Sequence, residues 1–326
     1  MSAPPTAILA GIDEAGLGPL LGSLALGYAA LAVHEGDADP WKRLRGTVAK
    51  APGKRARLVV ADSKIVFQRN AMGARRLEKT VLSFVAQLAP DLRCDGSSER
   101  FLFGPLAPDR ERHAMPWLPH LPRLPCDCEP EAIELSAAVL ARALARTGLA
   151  LVDAGVRLVP AAELNESYAA TKNKACSVWE RVVEVLARVW ALRRTAPVHA
   201  TVDMLGGRRR YGSLLARALP EADVRLVSET RLCASYALVA RDGSGSMTLE
   251  FRVQGERHSF PVALASCLAK YARELEMRAF NAYFATLQPE LKPTAGYRND
   301  GQRWLRDARA ALERSGLARA VLVRER

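Results

Sequence analysis

Two apolar runs near the start of the chain, Thr6–Asp13 (TAILAGID) and Ser23–Val33 (SLALGYAALAV), flank the glycine-rich phrase EAGLGPLLG. Runs of this length, rich in small and branched residues, suit buried β-strands. The first ends in two adjacent acids, Asp13 and Glu14. Carboxylates at the mouth of a buried strand are costly to desolvate unless paired, hydrogen-bonded or coordinated to a cation. The fold must therefore either solvate this turn or place something positive beside it.

The pattern continues along the chain. Val156–Asn165 reads as a strand entering a turn, VHATVD as a strand ending at Asp203, and Val224–Ser228 as another strand. YALVAR and MTLEFRV, flanking DGSGS, predict a hairpin over 234–253. Helical periodicity covers about Ile65–Leu88 and Glu131–Arg146. A further stripe of Val178, Val182, Val185, Leu186, Val189 and Leu192 is followed by helices ending near Leu219, starting near Ala263, and spanning about Gly301–Ser315. Strands alternating with helices predict an α/β sheet flanked by helices, in a single domain over 1–326.

Eight of the 19 prolines fall between Pro90 and Pro130, which predicts an irregular insertion rather than core. Residues 290–326 read as a helical, basic C-terminal segment, and Lys42–Arg57 as an exposed basic loop. A net charge of +12 suits a polyanion partner without fixing one. The longest apolar run, Leu20–Val33, is too short to span a bilayer, so no membrane partner is expected. No basic-then-apolar signal segment opens the sequence, and a cytoplasmic protein is expected. Cys176, Cys233 and Cys267 fall in apolar stretches and read as buried thiols. The one close pair, Cys126 and Cys128, lacks a second pair or a nearby His at zinc-binding spacing.

Asp13 and Asp203 both close a short strand and precede a glycine-containing turn. Were the strands neighbours, their acids would emerge together, and like charges would raise one another's pKa. Divalent metal resolves that conflict, hard oxygen ligands selecting Mg²⁺ or Mn²⁺. Strand-end acids are also common as solvated or capping groups, so spacing alone leaves both readings open.

Several phrases resemble the type 2 ribonuclease H family. GIDEAGLGPLLG is similar to its opening motif GIDEAGRGPLAGP, and VVADSK contains its DSK motif. ELNESYAAT resembles its Leu-Asn motif, and Val202–Asp203 the strand end bearing its third acid. ALASCLAKYARE is similar to the AASILAKVTRD helix, and GYRND to the GYPND form of the late tyrosine motif. The order and approximate spacing hold from residue 6 to the C-terminus, with 90–130 and the 234–253 hairpin as extras.

The resemblance implies a ribonuclease H-like fold, a mixed five-stranded sheet flanked by helices. It also implies an endoribonuclease cutting the RNA strand of RNA–DNA hybrids with two Mg²⁺ or Mn²⁺ ions, leaving 3′-hydroxyl and 5′-phosphate ends. By position, Asp13, Glu14 and Asp203 are three of the four metal-binding acids. The fourth is Glu256 or Glu229, with Glu256 favoured because it sits where the family's VKGD phrase has its acid. Ser63 and Lys64 of DSK correspond to substrate-contacting positions, and Tyr297 to a tyrosine that stacks on the nucleotide at an RNA–DNA junction. Gly16, Leu17 and Gly18 replace a Gly-Arg-Gly that grips the ribose 2′-hydroxyl; the glycine amides keep that capacity while the arginine's charge is gone. Type 3 relatives also lack the arginine. Arg208–Arg210 follow Asp203 and are within the chain's reach of a backbone phosphate or simply solvated. A non-catalytic hybrid- or RNA-binding relative, or a nuclease of altered specificity, is the alternative.

Overall fold

The structure is a computed structural model that describes residues 4–34, 39–53, 57–88, 97–103, 115–206 and 208–325. β1 (Ala7–Ala15) and β2 (Leu24–Val33) pair antiparallel, from Ala7 opposite Val33 to Ala15 opposite Ala25. β3 (Val48–Ala49) and β4 (Leu58–Val59) make a separate two-stranded sheet. β5 (Leu149–Val159), β6 (Val198–Asp203), β7 (Ala222–Glu229), β8 (Cys233–Ala240) and β9 (Ser246–Arg252) complete a seven-stranded sheet ordered β5-β2-β1-β6-β9-β8-β7. β1, β6 and β9 are parallel neighbours and the remaining pairs are antiparallel, so the sheet is mixed.

The five strands expected from the sequence are joined here by both strands of the hairpin. The hairpin is no appendage: β9 lies between β6 and β8 and buries Met247, Leu249 and Phe251. β5 starts at Leu149, earlier than the Val156 read from the sequence, and the expected turn through Asn165 is instead helical.

Helices cover both faces. The first four are α1 (Pro40–Arg43), α2 (Ser63–Val66), α3 (Ala71–Val85) and α4 (Ser98–Leu102). Then come α5 (Pro130–Arg146), α6 (Ala161–Thr171), α7 (Lys174–Ala191), α8 (Gly212–Ala218) and α9 (Gly255–His258). Last are α10 (Phe260–Leu287), α11 (Arg298–Asp307), α12 (Arg309–Ser315) and α13 (Arg319–Leu322). The single helix expected over Ile65–Leu88 is two, because the Asn70 side chain accepts from Gly73 N–H at 2.8 Å and starts α3 afresh. The expected Gly301–Ser315 helix is likewise split into α11 and α12.

Alternation along the strands makes two cores. Ile8, Ala10, Ile12, Leu24, Leu26 and Val202 face α7, while Ala25, Ala29 and Leu31 face α10 with α3 and α5 beyond. Glycines permit the close approach of α10: a Cβ on Gly11 would stand 2.1 Å from Val262 N, and one on Gly27 2.1 Å from Ala265 O. This contact fixes the start of α10 against the strand that carries Asp13.

Three regional expectations change. The described parts of 90–130 are largely irregular, yet Phe101, Leu102, Trp117 and Leu124 are buried, and Trp117 packs edge-on to Phe280 at 5.0 Å. Prolines break regular structure there without preventing apolar burial. Lys42–Arg57 is not simply an exposed loop: it contains the end of α1 and all of β3, anchored by buried Trp41, whose indole N–H donates to Val60 O at 2.9 Å; residues 54–56 lie outside the described residues. Cys267 is buried as expected, but Cys176 and Cys233 are only half-buried, because their helix and strand positions sit at the margin of the core. Among the described residues, no helix is long and apolar enough to cross a membrane.

Candidate metal centre

The acids gather at the carboxyl ends of β1, β6 and β9. Ile12 is in register with Val202, so Asp13 and Asp203, the next residues, leave adjacent parallel strands on the same face. That is the face covered by α10. Oxygens of Asp13, Glu14 and Asp203 lie within 4.8 Å of one another. Asp13 is buried, and its Oδ1 accepts from the Glu14 backbone N–H at 2.9 Å.

Two backbone devices hold Asp203. After β9, Gln254 adopts a left-handed conformation (φ 54°), turning the chain so that Gly255 N–H donates to Asp203 Oδ1 at 2.9 Å. Gly255 opens α9, which brings Glu256 to the same pocket. Glu256 lies outside the set of three oxygens within 4.8 Å, so it lines the pocket at a greater remove. Glu229 is elsewhere: it ends β7, at the sheet's far edge, where the Tyr236 hydroxyl donates to it and Arg210 Nε approaches to 3.7 Å.

The open pocket, about 580 Å³, is lined also by Asp62, Ser63, Lys64, Arg257 and Ser266. Asp62 caps α2 by accepting from Lys64 N–H at 2.9 Å, which sets Lys64 at the mouth. Ser266, on α10, accepts from Ser63 N–H at 3.3 Å and hydrogen-bonds the Asp13 carboxyl. Asp62 and Ser266 were not singled out from the sequence, although both lie inside the quoted VVADSK and ALASCLAK phrases. What the phrases lack is any sign that these two side chains meet across the chain.

Crowding has an electrostatic consequence. Burial, then the neighbouring Glu14, pushes Asp13 well above the usual carboxylate range. Glu14 is raised to about 7, by burial first and by Asp203 second, with Lys64 opposing. Burial likewise raises Asp203 and Glu256. Five carboxylates (Asp13, Glu14, Asp62, Asp203 and Glu256) share the pocket with Lys64 and Arg257 and are short of positive charge, and an all-oxygen donor set of this kind fits a hard divalent ion such as Mg²⁺ or Mn²⁺.

The glycine turn has a different neighbourhood. Gly16 (φ 88°) needs glycine twice over, because its conformation is left-handed and a Cβ would meet Arg273 Cδ at 2.8 Å. Gly18 is exposed, with no atoms within 4 Å of an added Cβ. Leu17 is absent from the acid pocket's lining and packs with Leu24, Leu164 and Val178. Arg324, buried near the C-terminus, grips the turn from below: Nε donates to Gly22 O at 2.7 Å and Nη1 to Gly16 O. Asn165 holds this tail, donating to Val323 O at 2.7 Å and accepting from Glu325 N–H at 2.7 Å. The Leu-Asn phrase thus secures the C-terminal segment.

Tyr297 is not core: it is 42% exposed, with the Arg69 guanidinium 5.1 Å from its ring centre. It lines a separate groove of about 340 Å³ with Phe67, Arg69 and Arg278. A second group with ligand atoms close together, Glu78, Cys126 and Asp127, is satisfied by protein donors instead. Buried Glu78 accepts from the backbone N–H groups of Cys126, Asp127 and Cys128 at 2.8, 2.7 and 2.6 Å, and from Tyr271 OH at 2.7 Å.

No protein-family model and no curated protein matches the chain. Solved structures that it resembles are type 2 ribonucleases H. Ribonuclease HII of Archaeoglobus fulgidus, solved in complex with PCNA, is 16% identical with a TM-score of 0.43, over 98% of this chain and 94% of that one. Ribonuclease H2 of Pyrococcus horikoshii is 18% identical with a TM-score of 0.43, over 97% and 92%. Bst-RNase HIII, solved with Mn²⁺, is 13% identical with a TM-score of 0.41, over 98% and 66%.

Proposed function

We propose that the chain is a metal-dependent endoribonuclease that hydrolyses the RNA strand of RNA–DNA hybrids, leaving 3′-hydroxyl and 5′-phosphate ends. The observation that carries this reading is the convergence of Asp13, Glu14 and Asp203 within 4.8 Å at one end of adjacent parallel strands. Asp13, Glu14 and Asp203 hold divalent cations, with Glu256 as the fourth acid. When bound, such ions supply Lewis-acid stabilisation of charge developing on a phosphodiester.

The chain's own residues supply the rest. Ser266 orients the Asp13 carboxyl, and Gly255 N–H orients Asp203. Lys64 gives a point charge for a backbone phosphate and reads no base. The backbone of Gly16 and Gly18 contacts the ribose 2′-hydroxyl, which distinguishes RNA from DNA. Tyr297 offers an exposed aromatic face for stacking. Leu17, occupied in packing, adds no charge to this contact, which favours cutting within ribonucleotide runs over recognition of a lone embedded ribonucleotide.

Incubating the protein with a hybrid, a duplex containing one ribonucleotide, and plain DNA and RNA duplexes, with Mg²⁺ or Mn²⁺, tests the reading. Cutting confined to the RNA of the hybrid is expected. Tight hybrid binding without cutting would establish the non-catalytic alternative, which the remove of Glu256 from the other three acids favours.

A further inference from the structure

The turn between β7 and β8 falls at the same end of the sheet as the acids. Asp203 is in register with Arg252, and Arg252 with Cys233, so residues 230–232 stand two strands from Asp203, about 10 Å at ordinary strand spacing. Two apolar side chains crown this edge. Leu232 is 65% exposed and Val253 37%, joined by a hydrogen bond from Val253 N–H to Leu232 O at 2.9 Å. Val253 also lines the acid pocket, so the apolar tip and the acids are continuous.

Exposed arginines lie on the turn and near it in the chain. Arg231 is exposed on the turn, Arg257 lines the pocket, and Arg209 and Arg210 follow Asp203 along the chain. The Arg210 side chain is 90% exposed and reaches Glu229 only at 3.7 Å. Exposed apolar residues beside a pocket mark an interaction surface, and exposed arginines beside them select a polyanion.

We propose that this tip, built by the hairpin, is a docking platform for a nucleic-acid duplex whose strand enters the acid pocket. Arg209, Arg210 and Arg231 hold backbone phosphates, and Leu232 with Val253 lies against the sugars between them. The proposal deepens the nuclease reading and rests on it for the identity of the duplex. Duplex rise is about 3.4 Å per base pair, so a 10 Å offset puts these contacts about three base pairs from the phosphate in the pocket.

The test is binding of a labelled 18-base-pair RNA–DNA hybrid between 50 and 200 mM salt, with EDTA present so that nothing is cut. The triple variant Arg209→Ala/Arg210→Ala/Arg231→Ala is expected to weaken binding about tenfold or more. It is also expected to lower the slope of log affinity against log salt by about 2–3, at about 0.9 per phosphate contact. Leu232→Ser is expected to weaken binding while leaving the slope unchanged. All these side chains are exposed, and melting curves should match the wild type. An unchanged slope and affinity in the triple variant overturns the proposal, as does a wild type that binds no hybrid. A wild-type dimer that Leu232→Ser dissociates with hybrid binding intact overturns it too, assigning the face to a second copy of the chain. Cleavage with Mn²⁺ is scored separately: arginine-dependent binding in a wild type that never cuts removes the nuclease reading and leaves the platform standing.

Discussion

Gly255 N–H donates to Asp203 Oδ1 at 2.9 Å, tying the end of β9 to the end of β6 just before Glu256 enters the pocket. That bond makes the hairpin part of the centre, since β9 delivers Gly255. The charge it steadies is otherwise poorly compensated, and several outcomes follow from that imbalance.

Neutralising a crowded acid should stabilise the metal-free protein while disabling it. Asp13→Asn is expected to raise Tm in EDTA, at about 1–2 °C per kcal/mol for a chain of this size, and to abolish stabilisation by Mn²⁺. A thermal melt with and without the ion checks both parts. A lower Tm in EDTA would mean that the protein already compensates the Asp13 charge.

The same imbalance sets a pH dependence. Glu14, raised from 4.5 to about 7, keeps a proton in the folded state that the unfolded chain has lost. Its contribution to the metal-free fold is therefore present below pH 4.5 and disappears as pH rises through about 7. Asp13, Asp203 and Glu256 are shifted in the same direction. Urea unfolding in EDTA should show less stability at pH 8 than at pH 5, with a shallower decline in Glu14→Gln. Mn²⁺ should stabilise more at pH 8, where fewer protons must leave.

Lys64→Ala should raise KM for the hybrid more than it lowers kcat, with kcat/KM down about tenfold, while Lys64→Arg recovers part of the loss by keeping the charge. Steady-state kinetics at two salt concentrations separates this from a folding defect.

Arg324 tests the support of the glycine turn. It is buried and donates to the carbonyls of Gly16 and Gly22. Arg324→Ala is expected to cost about 2–3 kcal/mol in a denaturant melt, since charged hydrogen bonds to buried carbonyls are lost. Hybrid cleavage should fall even at temperatures where the variant is fully folded.

Much of this was legible in the sequence because it is local. β1 and β2 announce themselves by apolar runs, and the place of Asp13 and Asp203 at strand ends is equally local, although that place alone leaves solvated acids open. The DSK phrase holds, side by side, the capping Asp62 and the Lys64 that it sets at the pocket mouth. What was not legible depends on chain segments far apart. Ser266 meets Asp13 only because Gly11 and Gly27 let α10 lie against the strands. Arg324 reaches the glycine turn only because Asn165 holds the tail. Glu256 and Glu229 stay open in the sequence because strand order sets which of them lines the pocket, and no periodicity reports that β9 sits beside β6. The burial of Trp117 and Phe101 was hidden by the prolines around them, which signal broken backbone and not exposure.

The most direct measurement is cleavage of an end-labelled RNA–DNA hybrid in Mn²⁺ by the wild type beside Asp13→Asn. The expected result is RNA-strand cutting with 3′-hydroxyl ends by the wild type, and a rate lower by a factor on the order of 1,000 in the folded variant, a barrier increase of about 4 kcal/mol. Equal cutting by both proteins, or none by a wild type that binds the hybrid, would contradict the assignment of these carboxylates to a nuclease centre.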